Sequence, residues 1–117
     1  MSESIVKTKS FELAIRGVNF YKYLVAEKKE YIMSKQFLRS VTSVGANVRE
    51  AVNAQSKPDF IHKLSIAQKE CDESLYWLEL LKETNYISAI EFESIYQQNI
   101  EVLKIIRSII ITSKKNS

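Results

Sequence analysis

Of 117 residues, only Gly17, Gly45 and Pro58 are of the two types that break helices. A sheet built on tight turns needs glycine and proline at its corners. A chain this poor in both is directed towards long helices, and polar clusters must supply the breaks. Asn53-Ala54-Gln55-Ser56-Lys57-Pro58 is one such cluster. Ser56 is an N-cap residue there, Asp59 follows three positions later, and Pro58 suits a first turn where its missing N–H has no helical partner. Thr84-Asn85-Tyr86 is another, with Asn85 fit for the left-handed position after a helix and Ser88 with Glu91 forming a capping box. Glu27-Lys28-Lys29-Glu30, charged on every side, closes the first element, and Ser34 is the expected N-cap of the second. The breaks predict helices over about residues 9–29, 34–53, 58–83 and 89–113, with residues 1–8 loosely held. Four helices with short connections and no strand signal define an all-α, antiparallel up-down-up-down four-helix bundle. It spans residues 1–117 as one domain.

Apolar stripes repeat at three and four. Phe11, Ala14, Ile15, Val18, Tyr21, Leu24 and Val25 mark the first helix. Gly17 sits inside it at a cost of about 1 kcal/mol relative to Ala; close approach of another helix is one reason to keep it. The third helix carries Phe60 or Ile61, Leu64, Ala67, Cys71, Ser74 or Leu75, Leu78 and Leu81, with Trp77 beside the seam. The fourth carries Phe92, Ile95, Tyr96, Asn99, Val102, Leu103, Ile106, Ile109 and Ile110. Ile100, Ile105 and Ile111 fall outside that stripe, and a two-faced helix in a small bundle predicts self-association.

The second helix has an apolar line, Phe37, Val41, Val44 and Val48. Beside it runs a polar line, Gln36, Arg39 or Ser40, Ser43, Asn47 and Glu50. Short hydrogen-bonding groups suit contact with another helix better than a solvated face. Antiparallel pairing about Gln55 places residues whose numbers sum to about 110 side by side. Arg39 then meets Glu73 or Glu70, a pair that fixes register more than it stabilises. A ligand site on this line is the alternative to structural use.

Chemistry is sparse. His62 is the sole histidine and has no cysteine at metal spacing. There is no Gly-rich phosphate loop and no nucleophile elbow. Cys71 falls on a core seam, where a small apolar group is a better reading than a nucleophile. The expectation is therefore no enzyme, no cofactor, no metal and no small-molecule substrate. The single cysteine excludes an internal disulfide, and no apolar run reaches membrane-spanning length, so a cytoplasmic location is expected.

Net charge is +3, unevenly placed. Residues 1–57 hold ten Lys and Arg against five Glu, residues 58–117 seven against nine Asp and Glu. The basic half supplies the nucleic-acid candidates Lys9, Arg16, Lys22, Lys35 and Arg49. The competing reading is a bipolar subunit whose basic half meets a neighbour's acidic half.

The pattern Gln36-x-x-Arg39-x-x-x-Ser43-Val44-x-Ala46-Asn47-Val48-x-Glu50 resembles the signature of the bacterial four-helix-bundle proteins encoded in 23S ribosomal RNA intervening sequences. Asp59-Phe60-Ile61-x-x-Leu64-Ser65-Ile66-Ala67, then Glu73 and Tyr76-Trp77-Leu78-x-Leu80-Leu81, is similar to that family too. The family often has Pro where Gly45 stands and Gly where Ala51 stands. The resemblance implies a homopentamer around a central channel and no established enzymatic activity. A related branch, the accessory variability proteins of diversity-generating retroelements, associates with reverse transcriptase and nucleic acid. The expected role is a homo-oligomeric bundle that binds RNA or an RNA-associated protein; the alternative is a structural or protein-interaction module with no nucleic-acid role.

Overall fold

The computed structural model describes residues 2–116, with side chains from Ile5 onward. Four helices form: α1 Ser2–Glu27, α2 Met33–Val52, α3 Lys57–Glu83 and α4 Ala89–Lys115. Each packs on the next, α1 closes on α4, and the diagonal pairs stand farther apart across the shared core. Contacts between neighbours run in opposite directions along the chain: Ser40 meets Glu73 and Glu50 meets Lys63, Cys71 meets Asn99 and Glu79 meets Tyr96, Arg16 meets Gln98 and Tyr23 meets Glu91. The result is an antiparallel bundle, 46 × 20 × 19 Å.

Most helix ends follow their expected chemistry. Ser88 and Glu91 make the reciprocal capping box of α4. Ser56 accepts from the Asp59 N–H at 3.2 Å, with Pro58 in the first turn of α3. Asn85 adopts φ 67° and lets the Tyr86 N–H return to the Leu81 carbonyl at 2.9 Å.

The start of α2 departs from expectation, because Ser34 is not its cap. The Glu30 carboxylate, in the connection before the helix, accepts from the N–H groups of Ile32, Met33 and Ser34 at 3.1, 3.0 and 2.6 Å. The Ser34 hydroxyl donates back to the Glu30 carbonyl at 2.8 Å. Burial alone raises this carboxyl's pKa; the backbone donors outweigh burial and hold it below its ordinary value. A charge at a helix N-terminus also meets the positive end of the helix dipole. In sequence, Glu30 is one more charge in a charged run.

α1 departs more. It begins at Ser2 rather than near residue 9, and Val6 is 1% exposed. Met1 of the loosely held segment lies outside the described residues. The core-facing seam is Val6, Ser10, Leu13, Gly17, Phe20 and Leu24, while Phe11 and Ile15 of the expected stripe face solvent. The reason is steric. The inner seam carries two small residues, which add nothing to an apolar pattern, because α2 comes close there. A Cβ on Gly17 would lie 2.3 Å from Val41 Cγ1, and one on Gly45 would lie 3.3 Å from the Ser10 carbonyl oxygen. The close approach expected at Gly17 is present. α2 runs unbroken through Gly45, and Ala51 is buried at its end.

The seams of α3 and α4 lie where expected, with Leu64, Ala67, Cys71 and Leu78 facing Ile95, Val102 and Ile106 in the core. Of the isoleucines outside the α4 stripe, Ile100 and Ile105 are half-buried against the core and Ile111 is exposed. The second apolar face that sequence assigned to α4 belongs more fully to α1.

Candidate nucleic-acid interface and the polar line of the second helix

The five cationic candidates do not form one patch. Lys9 pairs with Glu101 of α4 at 3.5 Å. Arg16 donates to Gln98 Oε1 at 3.0 Å and to the Ser94 hydroxyl at 2.6 Å, so it ties α1 to α4. Lys22 is exposed on the outer side of α1, away from both. Lys35 and Arg49 are exposed on α2, and the Arg49 guanidinium lies 5.7 Å from the centre of the Phe11 ring. Arg39 joins these two. Positions 35, 39, 42, 46 and 49 follow one another at three and four, so Lys35, Arg39 and Arg49 share the solvent side of α2 across Thr42 and Ala46. None of the three cations has an acidic partner within ion-pair distance among the described residues.

This placement corrects the expected Arg39 pair with Glu73 or Glu70. Arg39 is exposed, and Ser40, buried one residue later, lies 2.7 Å from Glu73 Oε2. Glu50 pairs with Lys63 at 2.9 Å. Both contacts join residues whose numbers sum to 113 (40 with 73, 50 with 63). The expected sum of about 110 holds for backbones at the same level. Side chains on a helix lean towards its N-terminus, so each covers the surface about one position before its own Cα. In an antiparallel pair the two offsets add about two to the sum, which accounts for most of the difference.

The rest of the polar line turns inward on its own helix. Ser43 Oγ donates to the Arg39 carbonyl at 2.7 Å, and Asn47 Nδ2 to the Ser43 carbonyl at 2.9 Å. The Gln36 carbonyl lies 3.0 Å from Ser40 Oγ, and the Glu70 carbonyl accepts from the Ser74 hydroxyl at 3.0 Å. Hydrogen bonding to Glu50, then its charge, raises the Lys63 pKa. The line is structural in what it touches, with only Ser40 and Glu50 reaching α3.

Cys71 is buried, and its thiol donates to Asn99 Oδ1 at 3.0 Å. Burial pushes its pKa up to about 12, so it is a thiol and not a nucleophile at neutral pH. The Asn99 Nδ2 and Trp77 Nε1 groups, both buried, have no hydrogen-bond partner among the described residues. An open depression of about 520 Å³ lies at the α2–α3 connection between Arg49, Asn53, Gln55, Asp59 and the Glu50–Lys63 pair. It brings no base to a nucleophile. Among the described residues no three His, Cys, Asp or Glu side chains cluster as metal ligands, and no helix is long and apolar enough to cross a membrane.

An antiparallel four-helix bundle whose described polar groups serve packing, capping and surface charge belongs to the class of small all-α bundle proteins. The family model of the 23S rRNA-intervening sequence proteins matches residues 2–108, and the chain belongs to that family. A solved structure from Bacteroides thetaiotaomicron VPI-5482, a protein of unknown function from the S23 ribosomal protein family, is 56% identical. The match covers 94% of this chain and 98% of that one, with a TM-score of 0.92. No curated protein matches the chain.

Proposed function

We propose that this protein acts without catalysis, as a cytoplasmic homo-oligomer that binds RNA or an RNA-bearing machine. Five copies is the number its family resemblance favours. The observation that carries the reading is the line Lys35, Arg39 and Arg49 along the solvent side of α2, exposed and without acidic partners among the described residues. Spaced cations on one helix ridge suit a phosphate backbone, and symmetry multiplies a weak patch without new contacts. Lys9 and Arg16 have partners on α4 that compete with a phosphate, and Lys22 lies apart.

Filter binding of a single-stranded RNA across a salt series tests this. Affinity falls with salt, and Lys35→Gln with Arg49→Gln reduces the slope by about 1.4, at about 0.7 for each phosphate no longer neutralised. The oligomer mass stays unchanged. Absence of binding by the wild type at low salt removes the RNA reading. It leaves the interaction module, which the exposed apolar side of α1 favours.

A further inference from the structure

α1 has two apolar seams. The inner one fills the bundle. The outer one, Phe11 and Ile15, stands in solvent at 53% and 49% exposure, and the exposed Ile5 is set round the helix from it, towards Ile105 and Ile109 of α4. Phe11, Ile15 and Lys22 follow at steps of four and seven, so they form one ridge along the helix. Lys7 and Lys22 sit towards its two ends, against one acid, Glu12. Large apolar side chains lined up on one small-protein helix mark a contact with protein.

α3 lies diagonally across the bundle from α1, so its solvent side faces the opposite way. There Tyr76 is 55% exposed, braced edge-on by the Trp77 ring at a centroid distance of 5.0 Å. Asp72, Glu79 and Glu83 are exposed on the same side of the helix, against one cation, Lys69. An aromatic anchor inside a charged rim is the usual make-up of a docking surface. One ridge is apolar with basic ends; the other is aromatic with an acidic surround. Two copies of the acidic face repel each other, whereas the unlike faces attract.

We infer that the outer ridge of α1 docks on the Tyr76 face of a second copy of this chain, with Lys22 directed at the acidic surround. The inference rests on the homo-oligomer reading above and adds to it the two surfaces used. Because these surfaces look in opposite directions, the copies join head to tail. Such contacts close into a ring when the rotation per copy allows, and otherwise extend as a chain. Of the α2 cations, Lys35 and Arg39 stay outside the contact, and Arg49 borders it through its position on the Phe11 ring.

Two variants with intact helical circular dichroism, Phe11→Glu with Ile15→Glu and Tyr76→Lys, test this by light scattering. The wild type is expected at several times 13.5 kDa and each variant alone at 13.5 kDa. Mixed, the variants give a species of two chains, since each retains one good face. A serine pair, Phe11→Ser with Ile15→Ser, serves in place of the glutamate pair should that one not fold. An oligomeric wild type with either variant unchanged in mass, or a mixture that stays monomeric, overturns the head-to-tail surfaces and leaves the oligomer standing. A wild type of 13.5 kDa overturns both.

Discussion

α2 is held in two different ways on its two sides. Towards α1 the contact is steric. Phe37 is fully buried edge-on to Phe20 at 5.8 Å, and Val41 fills the space left by the missing side chain of Gly17. Towards α3 two polar contacts lie at the flank, Ser40 to Glu73 and Glu50 to Lys63, with their acids exposed. Steric contacts act over less than an ångström, so one carbon atom matters. Polar contacts at an exposed edge bend with their side chains and share their groups with water. The α1 side thus determines how close the helices come, and the α3 side indicates which level meets which.

The α1 side of α2 is the more sensitive to substitution. Phe37→Ala should cost about 3–5 kcal/mol in urea unfolding, the usual range for removing a buried ring. A loss below about 1 kcal/mol would mean that the α1–α2 seam is loosely packed.

Gly17→Ala pits two effects against each other. Helix propensity favours Ala by about 1 kcal/mol. Overpacking against a valine whose χ1 is stiff in a helix costs about 1–3 kcal/mol. A net loss of about 1 kcal/mol is expected. In a Val41→Ala background only the Val41 Cβ remains close, at 3.2 Å, and the same change should range from neutral to stabilising by up to about 1 kcal/mol. Equal effects in the two backgrounds would show that Val41 is not what Gly17 makes room for.

The smallest effects belong to the α3 side. A double-mutant cycle of Ser40→Ala and Glu73→Gln should give a coupling of about 1 kcal/mol or less, since the carboxylate is exposed and water takes the place of the missing partner. Arg39→Met should change stability by no more than about 0.5 kcal/mol. A coupling of several kcal/mol between Arg39 and Glu73 would restore the ion pair that the register excludes.

These differences also mark what the sequence can disclose. Three of the four helices, their turns and the seams of α3 and α4 are readable because large apolar residues and capping residues speak for themselves. α1 misleads because its true seam passes through Ser10 and Gly17, whose value is the space they leave. That space is defined by Val41 and the α1 backbone, which no local pattern contains. Glu30 misleads for the same reason, since its role depends on a turn that brings it over three N–H groups. Among the cations, Lys9 and Arg16 look no different in sequence from Lys35 and Arg49. Only the neighbouring helix separates those with partners from those without. The Arg39 prediction failed by the lean of side chains along their helices, a correction that sequence reading can make in advance.

The sealed position of Cys71 gives the molecule a clock. It is the sole thiol, buried on α3, and burial pushes its pKa up to about 12, so it stays protonated at pH 7. A thiol reagent therefore has to wait for the bundle to open. When reclosing outpaces labelling, the rate of Cys71 modification is the open fraction multiplied by the reagent's rate with a free thiol. When labelling outpaces reclosing, the same rate becomes the frequency at which α3 leaves the core. One atom, without an added probe, keeps time for the opening of the whole fold.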